Sequence, residues 1–434
     1  MRLYDLPLIF VLIGLALYAV LAGADFGAGF WQLLAGGGER GARIRDHAHD
    51  AMAPVWEANH VWLIFVLTVT WTAYPTAFGS IASTLSIPLF IAAIGIIMRG
   101  ASYALRAGAS SARERRSIDV VFALSSVLTP FALGTMIGAI ASRRVPVGNA
   151  AGQLFSSWLN PTSLMVGLLA VATSAYLAAV FLAADARRTS SARPGADELQ
   201  AGLRARALAI GLLAGAVALA GIVVLRSDAH PLYSHLLRGD ALAAVILSAL
   251  AGLATLELVR RSSFEAARYT AALAVAAVIG GWALAQRPIL LKGLTVQQAA
   301  APHDTLVLVV VVVLGGATIL FPSLALLFRL VLQGRLDHDA GQTPRALGAR
   351  ERSEIGQLLV ASAGGLLARV AGACLLAGFG FLTLAEAGWA HFVGAFALFG
   401  FLGCGFLAAL PSQLAELDRE ERAARSATPS GEQR

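Results

Sequence analysis

The chain has 434 residues, of which 57% are hydrophobic and 14% charged, and its mean hydropathy is +0.72. Soluble domains carry about 25% charged residues, so this composition excludes a soluble globular protein and predicts an all-α, polytopic membrane helical bundle. The net charge of +7 is almost all arginine, Lys292 being the single lysine. These basic residues lie in loops between apolar runs, which is the positive-inside pattern rather than a nucleic-acid surface. The two cysteines, Cys374 and Cys404, sit in apolar segments without CxxC spacing, which excludes a thiolate metal site or iron–sulfur cluster built from them alone.

Charge-free length places the spans in chain order. Span 1 covers about 6–34. Ala22-Gly23-Ala24 resembles a cleavage site, but the apolar stretch Leu6–Ala24 is 19 residues long, so it reads as a retained helix rather than a leader. Between Glu57 and Arg99 lie 41 residues without Asp, Glu, Lys or Arg, room for spans at about 54–73 and 79–103 with a turn near Tyr74-Pro75. Further spans follow at about 119–141, 161–184, 207–225, 241–258, 269–286 and 305–330, then two more near 368–386 and 388–411. Trp31, Trp56 and Trp158 are expected as interface anchors.

The basic residues test this register. The N-terminus and alternate loops hold only Arg2, Arg143, Arg144, Arg226, Arg238, Arg287 and Lys292; the remaining 26 of 33 fall in the other set. That bias predicts an N-terminus outside and a C-terminus in the cytoplasm. The outer stretches Arg226–Asp240 and Arg287–Asp304 read as ordinary solvated loops despite His230, His235 and His303. Residues 335–356 read as a cytoplasmic linker rich in charge, Gly and Pro, and 412–434 as a polar cytoplasmic tail. No nucleotide loop or soluble domain is visible.

Three ionisable residues are expected inside the spans. Asp25 is followed by Phe26-Gly27-Ala28-Gly29-Phe30-Trp31, so its helix runs on for roughly 15 Å at 1.5 Å per residue. Arg99 lies about two turns inside span 3. Glu57 stands at the start of span 2, with Asn59 and His60 on the same turn. The span directions put all three in the cytoplasmic half. Charges in hydrocarbon are costly unless paired or hydrated, which leaves two readings. One is an ion pair of Arg99 with Asp25 or Glu57 that ties helices together; the other is a hydrated proton or ion path, with His60 as a weaker member. Gly23, Gly27, Gly29 and the Gly134/Gly138 step predict close helix packing. A haem-bearing subunit needs axial ligands within its spans; few histidines lie near one, so this chain is expected to hold no haem or metal and no catalytic residue of its own.

Longer motifs are Gly23-Ala24-Asp25-Phe26-Gly27-Ala28-Gly29, Pro54-Val55-Trp56-Glu57-Ala58-Asn59-His60-Val61-Trp62-Leu63 and Gly95-Ile96-Ile97-Met98-Arg99-Gly100. Weaker ones are Ser126 with Gly134 and Gly138, Leu294-Thr295-Val296, Ala299-Ala300-Ala301-Pro302 and Phe321-Pro322-Ser323-Leu324. Together they resemble subunit II of the cytochrome bd-type quinol oxidases over about residues 1–334. The resemblance implies a complex that oxidises quinol and reduces oxygen, with haems b and d in the partner subunit I. It also implies that Asp25, Glu57 and Arg99 help supply protons from the cytoplasm. Many relatives have Asp at the Glu57 position. Membrane lipid is an expected partner; a structural quinone and a small accessory subunit are left open. The chain departs from the family in its two extra C-terminal spans, within about 357–411. A proton-coupled secondary transporter is the alternative that the same buried charges allow.

Overall fold

The computed structural model describes residues 2–106, 111–189, 196–332, 366–384 and most of 389–404. The expected linker at 335–356 and tail at 412–434 lie outside the described residues, as do the side chains of residues 53–58, Trp56 and Glu57 among them. The chain falls into two units, Met1–Pro322 and Ser323–Arg434.

The first unit is helical: α1 (Leu6–Leu33), α2 (Gly38–Ala73), α3 (Pro75–Thr84), α4 (Ser86–Arg106), α5 (Ala112–Ala141), α6 (Pro161–Thr189), α7 (Ala196–Asp228), α8 (His230–Leu236), α9 (Gly239–Arg260), α10 (Phe264–Gln286), α11 (Val296–Ala299) and the part of α12 (His303–Leu332) up to Pro322. A two-stranded hairpin, β1 (Ile289–Leu291) and β2 (Leu294–Thr295), lies between α10 and α11. Among the described residues, seven helices are long and apolar enough to cross a membrane, and shorter apolar helices at Asn59–Ala73, His303–Thr318, Arg369–Gly378 and Phe392–Phe401 fall on the remaining expected spans. The protein is a multi-pass helical membrane protein.

Helix α6 is the hub, packing on α1, α5, α7 and α10. Its run from Ala175 to Ala186 is mostly alanine, leucine and valine and is buried nearly all round, as expected of a helix apolar on every face. Small residues set the approach distances. A Cβ on Gly27 would run into the Ser174 carbonyl and Ala178, one on Gly138 into the backbone of Ser163, and one on Gly134 would lie 2.8 Å from the Gly167 Cα. The expected close packing of these glycines is therefore present along the α1–α6 and α5–α6 seams.

Four features differ from the sequence expectation. Helix α2 starts at Gly38, well before residue 54. Its first turns are amphipathic: Ile44, Ala48 and Met52 recur every fourth residue and are buried, and Ala48 and Met52 join the core around α6. Span 3 is two helices that break at Leu85. Pro88 has no N–H to give the Thr84 carbonyl, so the ladder is interrupted there. Trp31 is no interface anchor; it is buried, and its Nε1 donates to the Ala175 carbonyl at 2.8 Å. Trp158 is buried as well, its Nε1 donating to the Leu154 carbonyl at 3.0 Å.

The fourth difference is at the N-terminal end of the unit, where the expected solvated loops form a cap. The hairpin turns through Gly293, whose φ of +81° suits glycine. Leu291, Leu294, Val296 and Ala299 pack with Tyr74, Leu85 and Val145 in one core cluster. Tyr74 closes the α2–α3 corner. Its hydroxyl donates to the Tyr4 carbonyl at 2.6 Å, and Ala301 N–H donates to the Ala73 carbonyl at 2.8 Å. Burial pushes the Tyr74 phenol above its ordinary range, so it stays a donor. Arg287 pairs with Asp5 at 3.2 Å, and Arg144 with Asp228 at 2.5 Å.

In the second unit, α13 (Leu366–Leu384) packs on the segment Phe392–Phe401. A Cβ on Gly378 would meet Leu398 at 2.7 Å, and one on Gly400 would meet the Cys374 sulfur at 3.1 Å. Arg369 is exposed, as a snorkelling arginine would be.

Candidate functional site: a buried carboxylate–guanidinium pair

Three helices build the site. Asp25 comes from α1, Arg99 from α4 and Ser126 from α5; Asp25, Arg99 and their side chains have no solvent exposure within the chain. Gly29 lets α5 come close: a Cβ there would collide with the Ser126 side chain and stand 3.1 Å from Arg99 Nη1. One turn along α4, Gly95 makes the same room for Thr129.

The guanidinium is held as a fork. Arg99 Nε donates to Asp25 Oδ2 at 3.1 Å, and Nη2 donates to Oδ1 at 2.5 Å and to the Asp25 carbonyl at 2.7 Å. Nη1 donates to Ser126 Oγ, and the Ser126 hydroxyl donates to the Phe122 carbonyl at 2.5 Å. Such bidentate, charge-assisted bonds are the strong kind. Three rings surround the cation, with Phe122 at 4.1 Å, Phe26 at 5.2 Å and Tyr103 at 5.7 Å from the guanidinium carbon. Their faces add cation–π attraction in a dry setting.

The pair connects toward the arginine-rich end. Tyr103 hydroxyl donates to Asp25 Oδ1 at 3.2 Å, and its ring stacks on His49 at 5.0 Å. Beyond these, Arg106 bridges Asp46 at 3.1 Å and Asp119 at 3.2 Å, with Asp46 largely exposed. A carboxylate, a phenol and an imidazole thus lie in contact from the buried pair outward.

Of the expected site residues, Asp25 and Arg99 are brought together as one pair. His60 is half-buried on α2 and within electrostatic reach of both. Glu57 lies on α2, and its side chain is outside the described residues. Sequence reasoning missed Tyr103, His49 and the Phe26/Phe122 walls. Aromatic residues in an apolar helix carry no signal until the fold shows what they face. Among the described residues, no group of three or more His, Cys, Asp or Glu gathers as a metal site.

These features define a class: a multi-pass helical membrane protein with an ion pair sealed between three helices. Residues 3–331 match the model of the family described as cytochrome bd terminal oxidase subunit II, and the chain belongs to that family. Its relatives include cytochrome bd ubiquinol oxidase subunit 2 of Bacillus subtilis (strain 168), 28% identical over 31% of this chain and 39% of the relative. Cytochrome bd-I ubiquinol oxidase subunit 2 of Escherichia coli (strain K12) is 25% identical over 37% of this chain and 44% of the relative. Each of these matches thus spans less than half of the relative's length. Among solved structures, bd oxidase from Geobacillus thermodenitrificans has a chain of the same fold, with a TM-score of 0.61 at 24% identity, over 76% of this chain and 99% of that one. The family membership gives no support to the transporter alternative.

Proposed function

We propose that this chain is the non-haem subunit of a cytochrome bd-type quinol:oxygen oxidoreductase. It supports a haem-bearing subunit I and lines a proton path from the cytoplasm through Asp25, Glu57 and Arg99, with His60 beside them. The family match supports membership of the complex. The observation that carries the proton reading is the Asp25–Arg99 pair, extended by the Tyr103 hydroxyl and the His49 ring stacked on it toward the arginine-rich end. By the arginine bias that end faces the cytoplasm, which puts the N-terminal cap outside.

In this reading the chain performs no redox step. Haems b and d belong to the partner, and quinol is the substrate of the complex. Asp25 is the carboxylate of the path, and Arg99 holds it in place through the fork of hydrogen bonds. Tyr103 offers a hydroxyl that both donates and accepts, the property a relay needs.

The test is a mild-detergent pull-down from native membranes with a reduced-minus-oxidised optical spectrum. A second membrane protein with b- and d-type haem bands is the expected result; a colourless single chain would overturn the assignment. In the same preparation Asp25→Ala and Arg99→Ala should lower oxidase turnover with the haem bands kept. Normal turnover in both would remove the proton path and leave a structural pair.

A further inference from the structure

We propose that Tyr18 and Asn59 hold a short file of internal water that continues the path from the Asp25–Arg99 pair toward the middle of the membrane. The inference rests on the proton-path reading above and extends it to the far side of the pair.

Both side chains are sealed inside the chain, Tyr18 at 5% exposure and Asn59 at 0%. Among the described residues, the Tyr18 hydroxyl and both amide atoms of Asn59 have no hydrogen-bond partner. Buried polar groups are almost always satisfied, by protein or by ordered water. A hydroxyl, an amide donor and an amide acceptor in one region present the mixed set that water satisfies, because water donates and accepts.

Helix register places these groups in order. Helices α1 and α2 are antiparallel neighbours, and Gly14 lies against Phe65 and Val66. One turn along α1, Tyr18 shares a cluster with Trp62 and Leu63. One turn further down α2 is Asn59, which therefore stands at a height between Tyr18 and Asp25. Tyr18 and Asp25 are seven residues apart, about 10 Å along one face of α1. Tyr18 and His60 both feel the charges of Asp25 and Arg99. Past Tyr18 the seam is apolar, closed by Phe65 and Val66 on Gly14. The file therefore ends short of Gly14.

The step moves protons only. Each hop passes one proton from a water oxygen to the next, and Tyr18 accepts one on its oxygen while releasing its own, ending neutral. Asn59 positions the waters and never carries the charge.

The intact complex tests this with Tyr18→Phe, Asn59→Leu and Asn59→Ser, alongside Asp25→Asn. Turnover is read against pH in H2O and D2O. Tyr18→Phe and Asn59→Leu should slow turnover several-fold, more so at high pH and in D2O, with haem bands unchanged, and Asn59→Ser should recover part of the rate. If Asp25→Asn is slow while Tyr18→Phe and Asn59→Leu behave as wild type, the file is wrong and the outer path stands. If Asp25→Asn is also normal, the proton-path reading falls and this one with it. Should a variant fail to assemble, a high-resolution density map of the unaltered complex decides. Peaks within hydrogen-bond distance of both Tyr18 Oη and the Asn59 amide support the file; protein atoms filling that space overturn it.

Discussion

Asp25 and Arg99 are each other's condition for burial. Removing one partner leaves an uncompensated charge, which costs on the order of 3–5 kcal/mol. Asp25→Ala should therefore lower the thermal midpoint of the purified complex, and Asp25→Ala with Arg99→Leu should regain much of it. Turnover separates the two roles: a structural pair recovers activity together with stability, whereas a proton path does not. Arg99→Lys should also fail, because a single ammonium cannot reproduce a fork that reaches Asp25 and Ser126 at once; oxygen consumption and thermal stability should both drop. Both charged residues were legible in the sequence because each interrupts an apolar run. Ser126, Tyr103 and Phe122 were not legible as a shell, since only the approach of α5 to α1 and α4 brings them to the guanidinium.

At the scale of the helices, the seams are set by what is missing from the side chains. Gly138 on α5 faces the Ser163 backbone of α6, so Gly138→Val has no space to enter. Overpacking of this kind costs about 1–3 kcal/mol or more, and the measurement is loss of folded complex on heating. A substitution at Gly252, with nothing facing it, should change the same midpoint little. The bridges of Arg106 are partly exposed; bonds of that kind contribute less than about 1 kcal/mol, and Arg106→Ala should leave stability near wild type. The small-residue steps could be read in advance, because GxxxG spacing puts both glycines on one face. The early start of α2 was missed for a physical reason. Charge-free length detects what sits in hydrocarbon, and an amphipathic helix that carries Asp46 and Arg45 on one side and Ile44, Ala48 and Met52 on the other fails that criterion while folding well. The break at Leu85 had a signal in Pro88, which a ruler of apolarity does not use.

For the whole molecule, the family match ends at residue 331, before α13. A chain truncated after residue 356 should still co-purify with its haem-bearing partner, read by the same pull-down and spectrum; loss of the partner would make the C-terminal helices part of the assembly. The expected spans were legible because a bilayer imposes one length on every helix. The N-terminal cap was not, because β1, β2 and α11 are too short to carry a periodic pattern. That cap also sets an order in time. Tyr4 and Ala301 clasp the same α2–α3 corner from near opposite ends of the first unit. During synthesis the corner is made early, yet the residue that bonds Ala73 arrives only after the eight spans before it have been made. Until then the corner lacks the bond from Ala301, so the final closure of the first unit reports that its chain has been delivered through residue 301.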